Sequence, residues 1–385
     1  MIQPPFMVKK GHRCDFLVIG AGIAGASIAY RLSGQGKVLL LEMEEQPGYH
    51  STGRSAALFA ESYGNRVIRA LTKVSGEFFR NPPAGFADHP LILPRGVLML
   101  AREDQLEKLQ IFFHEIQELC PTVKWLDQQE TLELVSSLRK DYFASAVLEP
   151  ESQDIDVDVL HQGFLRGIRN SGGEILTEHK LLKAEKDGNS WKAFLEKTLI
   201  HTEILINAAG AWADQVALNC GVAPVSLVPK RRTAMLFEPP HDINCRAWPA
   251  VVDVEESFYF KPEGGHLLGS PADETPVEPQ DARPQDWDLA LAVERIEKAL
   301  DFPIKSASKT WAGLRSFVAD KTPVAGYDPD HPGFFWLAGQ GGYGIQTSPA
   351  LSRVAASLVL KQEFPEEVTA LGVNPSDLSP ERLRS

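Results

Sequence analysis

Long apolar runs are missing from this chain: no stretch reaches the roughly 18 continuous apolar residues that a membrane-spanning helix needs. Cysteine is scarce. The 385 residues hold four, Cys14, Cys120, Cys220 and Cys245, far apart and without a C-x-x-C pair, which excludes a disulfide framework and a zinc site and makes a reducing cytoplasm the default setting. Basic charge is in deficit as well: 39 Lys and Arg stand against 51 Asp and Glu, and a formal net charge of -12 repels phosphate backbones and anionic membrane surfaces. Nucleic acid is therefore not expected as a partner, nor is stable membrane insertion. What remains is ordinary globular composition, 43% hydrophobic and 23% charged. At about 150 residues per domain, the length allows two domains with a ligand enclosed between them.

Lys9, Lys10 and Arg13 precede an apolar run from Phe16 to Ala29, as in a secretory leader. Gly20, Gly22 and Gly25 interrupt that run, and a buried strand entering a tight turn accounts for the same residues better. The pattern predicts a strand over 15–20, a helix over 22–34 and a second strand over 37–42. Helical periodicity recurs over 64–80 and 103–119, and the stretches 91–101 and 231–270 alternate as antiparallel strands do. Two further apolar runs, 203–210 and 333–339, end in glycine like the first strand. The fold class expected is α/β: a Rossmann-like parallel-sheet domain of 13–82, 146–225 and 308–385, plus an antiparallel-sheet α+β domain of 83–145 and 226–307. Residues 272–287, rich in Pro, Asp and Glu, read as a solvated connection.

Gly20-Ala21-Gly22-Ile23-Ala24-Gly25 is a G-x-G-x-x-G element between strand and helix, with Glu42 at the end of the next strand. The first glycine permits the turn, the second admits a pyrophosphate to the backbone, and the third allows close helix–strand packing. The helix start offers free N–H groups to a diphosphate, and a carboxylate at Glu42 suits ribose hydroxyls and disfavours a 2'-phosphate. NAD and FAD both fit that fingerprint. Two other motifs fail: Asp154-Ile155-Asp156-Val157-Asp158 imitates a calcium loop but has Val159 where glycine is required, and His114-Glu115 lacks a second histidine. No metal is expected, and Asp156 or Asp158 reads instead as a helix cap.

Further runs decide the cofactor. GYHSTGRSAA (48–57), NPPAGF (81–86), LHQGFLRGIR (160–169), NAAGAW (207–212), PKRR (229–232), ESFY (256–259), TWAGLRSFVAD (310–320) and GGYGIQTS (341–348) occur in order along nearly the whole chain. With them the sequence resembles the D-amino acid oxidase and glycine oxidase superfamily of FAD enzymes, and within it the bacterial D-arginine dehydrogenases. The resemblance implies non-covalent FAD, with the diphosphate at Gly22, Ile23 and Ala24 and the ribose at Glu42. It implies cofactor contacts from Ser51, Thr52, Arg54, Ser55 and Ala56, from a strand around Leu181, and from Ala208, Gly210 and Trp212. Gly341, Gly342, Tyr343, Gly344, Ile345, Gln346 and Thr347 would bring a helix N-terminus to the flavin pyrimidine. His50, which anchors flavin covalently in some relatives, is not expected to do so here.

On the substrate side the resemblance implies that Arg232 and Arg315 bind a carboxylate, a task suited to planar guanidinium groups. Tyr259 would contact the same carboxylate, Tyr63 would cover the site from a loop, and Gln346 and Gly313 would offer polar contacts near the amine. The implied reaction is oxidation of a D-amino acid to an imino acid by hydride transfer from Cα to flavin N5, followed by hydrolysis to a 2-oxo acid and ammonia. The alternatives are oxidation of glycine, N-methyl amino acids or 2-hydroxy acids, or a catalytically silent flavoprotein subunit. The acceptor, oxygen or a quinone, stays open, and the expected location is cytoplasmic, peripheral to a membrane if quinone-linked. Two positions depart from D-arginine dehydrogenase: its guanidinium-binding glutamate is Val97 here, and a histidine is Leu58. With Val252, these line an apolar side-chain pocket in which a cation would lose its hydration without a partner. Apolar or small D-amino acids are therefore expected over D-arginine.

Overall fold

The computed structural model describes residues 9–384. Its first unit is the strand–turn–helix expected from the sequence: strand β1 (Lys9–Ile19), helix α1 (Ile23–Leu32) and strand β2 (Val38–Leu41). The apolar run at 16–29 is thus the centre of a sheet and the helix on it. β1 pairs in parallel with β2 on one side and with Thr198–Asn207 on the other, which in turn pairs in parallel with Phe334–Ala338. The two late apolar runs are these strands. Their near-continuous apolar character follows from burial on both faces, as parallel strands require. Glu174–Leu176 extends the sheet beyond β2, and the hairpin Lys183–Asp187/Ser190–Phe194 closes the opposite edge. One face packs on α1, Arg66–Arg80, Val157–Asn170 and Gly344–Val359 through Ile28, Leu71, Phe164 and Val354. Trp191, Val216 and Trp336 fill the other.

A nine-stranded sheet stands beside it, antiparallel except where Val97–Ala101 runs parallel to Ala250–Asp253. Its longest pairing joins Val228–Phe237 to Ala307–Phe317. Side chains alternate between faces along each strand. One face buries Leu98, Phe237, Val251 and Phe260 against Asp286–Ala299. The opposite parity, fixed by the register pairs Arg232↔Gly313, Lys230↔Arg315, Val252↔Tyr259 and Val97↔Glu149, carries the residues singled out for the substrate.

Several boundaries differ from expectation. Divisions at 145/146 and 307/308 would cut Ser145–Glu149 and Ala307–Phe317 away from the nine-stranded sheet to which both hydrogen-bond. Residues 91–101 form two strands in different sheets, because Gly96 at φ +75 breaks the run. Leu181 is in the loop before the hairpin, where its side chain still reaches the core. Asp156 caps its helix by accepting from the Val159 N–H, and the helix begins at Val157 rather than Val159. Asp154 is taken by Arg95 and Lys261. All four cysteines are free and buried, and burial pushes the thiols up, Cys14 to about 11 and Cys220 to about 12, so they stay protonated. No helix among the described residues is long and apolar enough to cross a membrane.

Candidate active site

The turn from β1 into α1 shows why glycine is needed. Gly20 has φ +97, and a Cβ on it would lie 2.6 Å from the carbonyl oxygen of Ala208. A Cβ on Gly25 would lie 1.8 Å from the carbonyl of Gly20, so only a bare backbone lets α1 pack on its own strand. Gly22 is the N-cap of α1 and supplies no side-chain cap, which leaves N–H donors and the positive end of the helix dipole exposed. Thr52 reaches over to accept from the Ile23 N–H at 3.0 Å. Glu42 accepts from the N–H groups of Ala21 at 2.9 Å and Glu44 at 3.1 Å. Burial raises the Glu42 carboxyl above its ordinary value, although these two donors oppose the rise. Each oxygen retains a lone pair for a further donor.

These groups open on one cavity that runs from the first turn to the nine-stranded sheet. Gly20, Gly22, Ile23, Ala24 and Glu42 line its start; Ser51, Thr52, Arg54, Ser55 and Ala56 form one wall. Leu181, Ala208, Gly210 and Trp212 line it from the side of the parallel sheet, and Gly341, Gly342, Gly344 and Ile345 where the last long helix begins. That helix too lacks a side-chain N-cap. Gly25, Tyr343 and Thr347 do not line the cavity: Gly25 packs under it, and the Thr347 hydroxyl donates to the Tyr343 carbonyl at 2.9 Å.

Two buried nitrogens on the cavity wall, His50 Nδ1 and Gln340 Nε2, have no hydrogen-bond partner, a costly state unless a ligand completes them. Two uncapped helix starts, a carboxylate with spare lone pairs and a glycine cradle together fit a dinucleotide. Neither His50 nor Gln340 stood out in the sequence as a wall residue with an orphan nitrogen, since that state depends on neighbours distant in the chain. His50 Nε2 is 2.9 Å from Glu44, and its ring packs 4.6 Å from that of Trp212.

At the sheet end the cavity meets Arg232, Tyr259, Gly313 and Arg315. Arg315 Nη1 donates to the Tyr63 hydroxyl at 3.2 Å and packs so closely on Gly342 that a Cβ there would lie 2.9 Å from it. Among the described residues, no carboxylate lies within 4 Å of Arg315. Arg232 is different: its Nη2 donates to Glu274 at 3.1 Å and its Nε to the Asp273 carbonyl at 2.9 Å. The connection 272–287 is therefore not merely solvated, because it supplies the partners of this arginine. Composition cannot show an ion pair across 42 residues. Arg54 likewise spends its guanidinium on the carbonyls of Ala282 and Ala312 and on the Asp281 carboxylate, stapling the 48–57 segment to the sheet.

Tyr63 stands behind the cavity wall, its ring 4.8 Å from that of Tyr343. Gln346 corrects the sequence expectation: it does not line the cavity, its Oε1 accepts from the Ala60 N–H at 3.3 Å, and its Nε2 donates to Thr72 at 3.0 Å. Both ends of the amide serve the fold. Val97 and Val252 share the sheet face of Tyr259 but lie beyond the cavity wall, as does half-buried Leu58. Across from Val97 is a carboxylate that the sequence did not single out, Glu149, 4% exposed. Its oxygens accept from the Ser62 hydroxyl and, at 3.7 Å, from the Cys120 thiol.

Known proteins agree with this architecture. "FAD-dependent oxidoreductase domain-containing protein 1" of Xenopus laevis is 25% identical over 92% of this chain and 80% of its own length. Glycine oxidase of Geobacillus kaustophilus is 23% identical over 96% of this chain and 97% of its own. The crystal structure of dithionite-reduced L-alpha-glycerophosphate oxidase from Mycoplasma pneumoniae with FAD bound superposes with a TM-score of 0.81 at 18% identity, covering 92% of this chain and 96% of that one. The DAO family model, described as FAD dependent oxidoreductase, matches residues 15–358. The chain belongs to the DAO family of FAD-dependent oxidoreductases.

Proposed function

We propose that this enzyme oxidises the Cα–N bond of D-amino acids, giving an imino acid that hydrolyses to a 2-oxo acid and ammonia. The observation that carries the reading is Arg315: a permanently charged guanidinium on the cavity wall whose hydrogen-bond partner is a tyrosine and not an acid. Such a charge favours an anionic ligand, and a guanidinium can grip a carboxylate through two parallel hydrogen bonds. Tyr259 would complete that grip from the wall, while Tyr63 holds Arg315 from behind. Bound FAD supplies the two-electron acceptor. Gly22 to Ala24 would hold its diphosphate and Glu42 its ribose, and the Gly341–Ile345 helix start faces the other end of the cavity.

The protein's part is then orientation and exclusion of water. Fixing the carboxylate fixes the direction of the Cα–H bond, and no side chain on the wall need act as an obligatory acid or base. The side chain of the substrate would point toward the wall behind which Leu58, Val97 and Val252 stand. Glu149 is close to Val97 but is buried and does not line the cavity, so apolar or small side chains fit better than a guanidinium. The kinship with proteins named glycine oxidase agrees with amino acid chemistry. A panel of D-, L- and N-methyl amino acids and 2-hydroxy acids tests the reading: D-amino acids should turn over fastest, and a preference for 2-hydroxy acids would overturn it.

A further inference from the structure

We propose that Glu274 is a specificity-determining residue that restricts the site to substrates with a single carboxylate. The inference rests on the carboxylate reading of Arg315 given above. Two arginines reach the cavity from one face of the nine-stranded sheet, and their electrostatic states differ. Arg315 has no acid beside it among the described residues, whereas buried Arg232 is held by Glu274. Glu274 is shared: its other oxygen accepts from Lys230 Nζ at 2.8 Å. Burial works against its charge, yet Lys230 and Arg232 hold its carboxyl below the ordinary value, so it is anionic at neutral pH. Of the other charges nearby, Arg231 pairs with Asp288 and Asp273, whose carboxylate also accepts from Thr233, and Lys321 acts on Glu274 from outside the cavity wall.

Of the two arginines at the sheet end of the wall, one therefore has no acid beside it among the described residues and the other is neutralised. A substrate with one carboxylate needs only Arg315. A second carboxylate, as in an acidic amino acid, needs a second cation, and the nearest one is already paired and screened by an anion. Entry of such a substrate would set its carboxylate against Glu274 or break the Arg232–Glu274 pair, either of which costs affinity. Replacing Glu274 by a neutral isostere releases Arg232 without removing side-chain volume.

The test compares parent holoenzyme with Glu274→Gln and Glu274→Asp at saturating artificial electron acceptor and low ionic strength, using D-glutamate and D-methionine. The kcat/KM ratio of D-glutamate to D-methionine should rise about tenfold or more in Glu274→Gln, the scale of one charge-assisted hydrogen bond. It should stay near the parent value in Glu274→Asp, which keeps the charge. An unchanged ratio in Glu274→Gln, or an equal fall for both substrates, makes Glu274 a purely structural residue and overturns the proposal. A second measurement needs no variant: competitive inhibition or thermal stabilisation of the parent holoenzyme by butyrate and by succinate. Butyrate should bind at least as tightly, and tighter succinate binding refutes the single-carboxylate limit. If the parent oxidises no amino acid, the proposed activity fails, while the butyrate and succinate comparison still decides the role of Glu274.

Discussion

Replacing Arg315 by methionine isolates the charge on which the substrate reading depends. Methionine keeps much of the side-chain volume against Gly342 and removes the one arginine on the cavity wall that has no acid within 4 Å among the described residues. Truncating one partner of a buried, hydrogen-bonded charge pair costs about 2–5 kcal/mol. At about 1.4 kcal/mol per factor of ten, that is a loss of roughly 30-fold to a few thousand-fold in kcat/KM. Arg232→Met should cost less, because Arg232 already spends two of its nitrogens on Glu274 and Asp273. The assay is steady-state turnover of D-methionine and of the matching amine without a carboxylate, with flavin content checked by absorbance. In Arg315→Met the advantage of the amino acid over the amine should collapse. If Arg315→Met stays within threefold of the parent, or if Arg232→Met is the more damaging change, the asymmetric reading of the two arginines is wrong.

Other perturbations follow from the same geometry. Gly25→Ala puts a Cβ 1.8 Å from a carbonyl oxygen, so it should yield protein that is colourless or aggregated; a yellow, stable variant would show that the turn can rearrange. Glu42→Ala should weaken FAD retention far more than it alters the substrate KM of the reconstituted enzyme, and equal effects would refute a ribose contact. His161 is buried with Nε2 2.9 Å from the Ala21 carbonyl, and burial lowers its pKa, so the unfolded chain takes up the proton first as pH falls. Stability should therefore drop as pH falls below about 6.5, less so in His161→Gln, in melting curves of the apoprotein from pH 7.5 to 5.5. Val97→Glu places a carboxylate opposite buried Glu149, and like charges across a strand pair should lower Tm by about 1 °C per kcal/mol lost in a chain of 385 residues.

The unit from β1 to β2 was readable because a double-sided buried strand, a glycine-punctuated turn and a second buried strand each leave a local mark. So were the segments that line the cavity, since glycine, hydroxyl and arginine clusters are too polar for a core strand. The pairing state of the arginines was not readable. Arg315 and Tyr63 are 252 residues apart, and Arg232 meets Glu274 only because Thr275–Pro276 adds a short strand beside Val228–Phe237. Gln346 shows the converse error: a glutamine at a glycine-rich helix start reads as a ligand contact, and only the packing of that helix on Arg66–Arg80 reveals that Ala60 and Thr72 use up its amide. The sheet that Ser145–Glu149 and Ala307–Phe317 join was unreadable for a similar reason, because it depends on a strand's partners and not on its own pattern.

The most direct test of the central claim is anaerobic mixing of the purified holoenzyme with single substrates while the flavin absorption is followed. D-methionine or D-leucine should bleach the flavin within the turnover time, and the L-enantiomers, 2-hydroxy acids and glycerol phosphate should not. Bleaching by a 2-hydroxy acid or by L-amino acids in preference to every D-amino acid would contradict the account.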